Sequence, residues 1–181
     1  MALTRINNQA LTNVTSAGLP SGTVLQVVQG TLGTTVAKAA ADGVTLDSGL
    51  TATITPSSVT SKVLVQYSIF LGQNQSYNAY TRIVRGSTVI GNGTQEGTRP
   101  VGNSMITGYT QSGNDQYWVG CASNSFIDSP ATTSATTYKI QIGSYDGLNV
   151  YVNRSETFQD DANDGYDTIP LSTITLTEIA G

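Results

Sequence analysis

The chain has 181 residues, enough for one domain with its own core, and only 11% of them are charged where soluble domains carry about 25%. A net charge of −4 with eight Lys and Arg leaves no basic stripe for a phosphate backbone, so nucleic acid is excluded as a partner. There is no histidine, which removes Ser-His-Asp and Cys-His catalysis and the usual zinc sites.

Residues 1–22 hold scattered small apolar side chains and end in the punctuation Gly18-Leu19-Pro20-Ser21-Gly22, which reads as an N-terminal arm or linker for docking, or equally as a first strand lying across the sandwich. They show no apolar signal-peptide region, and no run approaches the roughly 18 apolar residues of a membrane span. The expectation is a protein made in a host cytoplasm that does not insert in a bilayer. Residues 23–181 form the domain.

Strand signals begin at 23–29 (TVLQVVQ). Residues 35–41 (TVAKAAA) have helix-forming composition but are too few for a stable helix alone. Residues 50–55 follow, then 62–71 (KVLVQYSIFL), whose near-continuous apolar character predicts a central strand buried on both faces. Residues 79–85 and 88–91 flank Arg85-Gly86-Ser87, a tight hairpin signal. Next come 104–110, 116–126, 136–144, 148–152 and 173–179, with Asp146-Gly147 as a second hairpin marker. Lone Cys121 rules out an internal disulfide, and its apolar surroundings predict a buried thiol. Four N-x-S/T sequons, at Asn13, Asn74, Asn92 and Asn153, are what chance supplies in a chain so rich in Asn, Ser and Thr. The fold class is all-β: a β-sandwich or jelly roll of about 8–10 antiparallel strands.

The remaining chemistry is carboxylate chemistry. A glycosidase needs two carboxylates across a cleft, but no signature pairs Glu96, Glu156 or the aspartates. Gly91, Gly93 and Gly97 have the wrong spacing for a phosphate loop, and no βαβ unit surrounds them. The run Asp160, Asp161, Asn163, Asp164 and Asp167 offers oxygens to a hard cation such as Ca²⁺, yet Ala162 takes a ligand position and Leu171 stands where an EF-hand needs Glu. That run reads as an acidic solvated loop, with no metal and no cofactor. Nine tyrosines stand against three Phe and one Trp. Tyr77, Tyr80, Tyr109, Tyr117, Trp118 and Tyr166 fall in or beside predicted loops and are the candidate receptor or partner contacts. Tyr67, Tyr138 and Tyr151 alternate with core positions and read as structural.

Several stretches together resemble a module of virion proteins from tailed bacteriophages of cyanobacteria and marine bacteria. They are residues 19–28 (LPSGTVLQVV), 54–58 (ITPSS) with 61–65 (SKVLV), and 85–91 (RGSTVIG). Residues 128–130 (DSP) with 136–139 (TTYK), 151–155 (YVNRS) and 172–179 (STITLTEI) follow in the same order. The resemblance implies a homotrimer of jelly-roll-like domains on the phage particle surface and carries no catalytic motif. It makes a tail-fibre or receptor-binding component the leading expectation, with residues 1–22 held by other virion proteins and a host cell-surface glycan as the partner. A capsid decoration (cement) protein is the alternative, since no fibre shaft precedes the module, and a polysaccharide-degrading virion enzyme is the remote one.

Overall fold

Apolar and polar residues alternate through most of the chain, and in the computed structural model that pattern becomes antiparallel strands. Residues 19–39, 45–73, 78–107, 117–144, 149–157 and 168–181 are described. Among them the strands are β1 (Val24–Leu32), β2 (Val36–Ala39), β3 (Thr45–Ile54), β4 (Lys62–Gln73), β5 (Asn78–Arg85), β6 (Thr88–Ile90), β7 (Ser104–Thr107), β8 (Val119–Asp128), β9 (Thr136–Ser144), β10 (Asn149–Val152) and β11 (Ser172–Ile179).

They form two sheets packed face to face. The first runs β1-β11-β4-β10-β2, with β8 along the other edge of β4. The second runs β3-β9-β5, and the far edge of β5 is shared by β6 and β7. The core lies between them. Val63, Val65, Ile69 and Leu71 of β4, with Ile174 and Leu176 of β11, face Leu50 and Ile54 of β3 and Ile140 and Ile142 of β9. Each such side chain contributes about 2 kcal/mol on leaving water.

The sandwich closes differently at its two sides. On one, β1 runs so close to β3 that a Cβ on Gly30 would lie 1.9 Å from the carbonyl oxygen of Thr51, so only glycine fits. On the other, Asn124 of β8 donates to the carbonyl of Asn103, beside β7.

Several expectations are corrected by this architecture. Residues 36–39, which the sequence assigned to no strand, form β2, paired with β10. A segment too short to nucleate a helix takes the ladder its neighbour offers. Strand β4 is central but fully buried on one face only: Leu64, Ser68 and Phe70 are half-buried and Lys62 and Gln66 exposed, because no third layer covers the outside of a two-layer sandwich. The Arg85-Gly86-Ser87 hairpin is present, with Gly86 at φ 58° and Arg85 opposite Thr88. Asp146-Gly147 lies outside the described residues. Its flanking strands, β9 and β10, belong to opposite sheets and do not pair with each other. Cys121 is exposed, because it occupies the outward phase of an edge strand whose inward phase is taken by Ala122. Among the described residues no helix is long and apolar enough to cross a membrane.

Candidate contact surfaces

The inward phase of the strands carries a few polar groups, and each is bound within the fold. Glu178 is fully buried on β11, in phase with Ile174 and Leu176. Its Oε1 accepts from the Ser57 N–H at 2.7 Å and from the Ser57 hydroxyl at 2.7 Å, and its Oε2 accepts from Gln26 Nε2 at 2.5 Å. Burial alone would raise the pKa of this carboxyl, but donors from Gln26 and Ser57 outweigh it and hold the value below the ordinary one. Asp128, at the end of β8, accepts from Arg85 Nη1 at 2.8 Å and from the Tyr138 hydroxyl at 2.7 Å. That cluster bridges the two sheets. Burial first, and then the bond to Asp128, pushes the Tyr138 hydroxyl far up. Tyr67 of β4 reaches Thr81 of β5 at 2.6 Å, a second bridge, and burial pushes its hydroxyl up to about 12. Asn153, at φ 58°, donates to the carbonyls of Leu32 and Thr34 and accepts from the Ser172 hydroxyl.

The outward phase divides by charge. On the outer face of the β3-β9-β5 sheet, Asp47 accepts from Lys139 Nζ at 2.8 Å and from Gln141 Nε2 at 2.8 Å, and Arg82 lies 5.4 Å from the centroid of the Tyr80 ring. Lys139 and Gln141 hold the Asp47 carboxyl below its ordinary pKa. The outer face of β8-β4-β11-β1 is unlike it. Register sets three rows there: Ile127, Leu64, Thr177 and Val27; Ser125, Gln66, Thr175 and Gln29; Ser123, Ser68, Thr173 and Thr31. A fourth position pairs Phe70 with Cys121. The charged side chain of this face is Lys62, at the end of β4. Its centre is a shallow depression of about 550 Å³ lined by Gln66, Ser68, Ser123, Ser125, Thr173 and Thr175.

A second depression, of about 400 Å³, lies against the loop of residues 91–103 and is lined by Tyr80, Glu96, Arg99, Pro100, Val101 and Met105. Asn103 pins that loop, its side-chain Nδ2 donating to the carbonyls of Ile90 and Gly91 while its side-chain Oδ1 accepts from the Ile83 N–H. Glu96 and Arg99 form an exposed ion pair on it.

Of the tyrosines and tryptophan expected to make contacts, Tyr77, Tyr109 and Tyr166 lie outside the described residues, as do Asp160, Asp161, Asn163, Asp164 and Asp167. Tyr80 is 8% exposed: its ring lies across Gly143, where a Cβ would come within 2.4 Å of it, so it supplies the floor of the second depression and little free surface. Tyr117 and Trp118 are half-buried, and Trp118 covers Gly120 and the end of the core. Tyr67, Tyr138 and Tyr151 are buried as expected, with the Arg154 guanidinium 4.6 Å from the Tyr151 ring centroid. Among the described residues no group of three or more Cys, Asp and Glu side chains is placed to hold a metal ion. What sequence reasoning missed is the flat uncharged sheet face. The alternation of 62–71 and 172–179 supplies its hydroxyls and amides, but only strand register shows that they line up as rows.

Fold and surface together define a two-layer antiparallel sandwich with one charged and one neutral outer face. Compared with protein-family models and with curated proteins, the chain matches none.

Proposed function

We propose that this chain is a non-catalytic contact component of a tailed-phage particle: a homo-oligomeric, jelly-roll-like tail-fibre or receptor-binding protein that serves attachment to the host. The observation that carries the reading is the outer face of β8-β4-β11-β1, hydroxyl- and amide-covered and uncharged but for Lys62. Such a face suits lasting contact with another surface, because contact cores are depleted in charge. The buried carboxylates support the same reading. Asp128 and Glu178 are taken up by Arg85, Tyr138, Gln26 and Ser57, so neither is left to move a proton for a substrate. The loop of residues 91–103, with its depression over Tyr80, is the region suited to a host cell-surface glycan.

Capsid decoration is the second reading, favoured by the same nearly uncharged sheet face, which fits a shell as well as it fits a tail. Imaging intact particles with a label on Ser87, exposed in the β5-β6 turn of the other sheet and away from the contact face, separates the two. Label at the tail tip is the expected result; label over the whole head replaces the fibre reading with decoration. The purified chain is further expected to compete with particles for host cells.

A further inference from the structure

We infer that the outer face of β8-β4-β11-β1 is a self-association surface on which two copies of this chain pack sheet against sheet. The apolar residues come first. Exposed large hydrophobic side chains include Val24, Val27, Ile127 and Leu171, between 54% and 59% exposed. Register and alternation place Val27 and Ile127 at one end of this face, Val24 just beyond them, and Leu171 at the other end, in phase with Thr173. A face with apolar residues at both ends, no charge between them and its one cation, Lys62, at the margin beside Val24 loses little on leaving water.

The order of side chains identifies the occupant as a second copy. Along β4 the outward residues inside Lys62, which stands at the margin of the face, read Leu64, Gln66, Ser68, Phe70: apolar, polar, polar, apolar. That order is the same in either direction. Turned about a two-fold axis lying in the face, one copy sets Leu64 over Phe70 of the other and the Gln66 amide over the Ser68 hydroxyl. Amides and hydroxyls both donate and accept, so polar rows of this kind pair with themselves, as fixed charges of one sign cannot. Charge points the same way. The central rows carry no charge, so apposing two copies there sets no like charges against each other and breaks no ion pair such as Asp47–Lys139 on the other sheet. Four strands at ordinary spacing and rise span roughly 20 by 25 Å. With side-chain relief and its rims, that is of the order a specific interface covers on each partner, about 800 Å².

The inference rests on reading the chain as a contact component, but it does not depend on where in a particle the chain sits. The label experiment can fail while this one succeeds, and the reverse. It also departs from the three-fold arrangement that the phage resemblance implies, and mass separates the two.

The test uses the 181-residue chain in sedimentation equilibrium, with alkylation of Cys121, the only cysteine, as a footprint on the same face. The unmodified chain is expected to be a dimer at roughly 100 µM, with Cys121 protected relative to dilute protein. The pair Gln66→Lys and Thr175→Lys places like charges at the centre, and is expected to weaken association at least about 100-fold and to restore Cys121 reactivity. Should that pair fail to fold by circular dichroism, the single Ser125→Lys on the edge strand is the milder version. Thr53→Lys, on the outer face of the other sheet, is expected to leave the dimer intact. A monomer at the same concentration, a trimer, or a dimer that the face variants leave unchanged would overturn the inference. So would a monomer in which Cys121 is protected by a neutral oligosaccharide such as maltoheptaose.

Discussion

Residues whose side chains contradict their surroundings explain most of what holds this sandwich in register. Glu178 is a carboxylate on the buried phase of β11, yet it is met by donors from Ser57 and Gln26 and so ties the 55–61 turn and β1 to the last strand. Its folded pKa is depressed, so its contribution is present above the ordinary value near 4.5 and is lost as pH falls through the lower folded value. Glu178→Gln presents an amide to the donors of Ser57, and should lower the unfolding free energy at pH 7 by about 2 kcal/mol. In urea denaturation the gap between the two proteins should shrink as the pH is taken well below 4, where the native side chain is itself protonated. A gap constant from pH 7 downward would refute the account. Asn153 works similarly. Its side chain joins Leu32, Thr34 and Ser172, and its left-handed backbone suits Asn or Gly. Asn153→Ala should therefore cost about 3 kcal/mol, and Asn153→Gly somewhat less, because glycine keeps the backbone while losing the bonds. Being fully buried, Asn153 gives its sequon no role.

At the scale of strands, the two sheets are joined by polar bridges as well as by apolar contact. Arg85 of β5, Tyr138 of β9 and Asp128 of β8 converge so that a carboxylate of one sheet is neutralised from the other. Arg85→Ala leaves that carboxylate buried with the Tyr138 hydroxyl alone, and should cost about 2 kcal/mol after allowance for the partial exposure of Arg85. Adding Asp128→Asn to it should recover part of the loss, measurable as a double-mutant cycle in thermal or urea unfolding. Such bridges were not legible in the sequence, because alternation says which face a residue takes and nothing about which strand lies opposite. The strands themselves were legible where period and turn residues agreed, as in β4, the β5-β6 hairpin and β11. They were missed or misread where composition spoke without period: 36–39, whose alanines gave no strand signal, was assigned to no strand, and the apolar neighbourhood of Cys121 suggested burial that an edge strand does not give. Asp146-Gly147 misled for the same reason. A turn dipeptide marks a reversal, but only the tertiary fold decides whether the chain returns in the same sheet. Of the aromatic residues singled out in the sequence, Tyr80 lies over Gly143 and Trp118 packs over Gly120 against the core, since large amphipathic rings at strand ends cover neighbouring backbone as well as facing outward. The neutral sheet face, built from small hydroxyls, announced itself only once register had aligned its rows.

For the whole molecule, the distribution of charge is the property with the widest consequence. Four negative charges in excess make two copies repel at long range, while the proposed contact itself holds no ion pair across its centre. Salt therefore acts on the approach and not on the seal. Added electrolyte screens repulsion between exposed charges over a Debye length of about 8 Å at physiological ionic strength, so it should strengthen association slightly or leave it unchanged. An interface built on exposed ion pairs would behave in the opposite way, weakening as salt rises. Between low and high NaCl the dissociation constant of the dimer should fall or hold within about threefold, and the association rate should rise, both measurable by dilution jumps followed through Cys121 alkylation. A dissociation constant that climbs steeply with salt would place the contact on the face bearing Asp47, Arg82 and Lys139, and would remove the neutral face from the assembly.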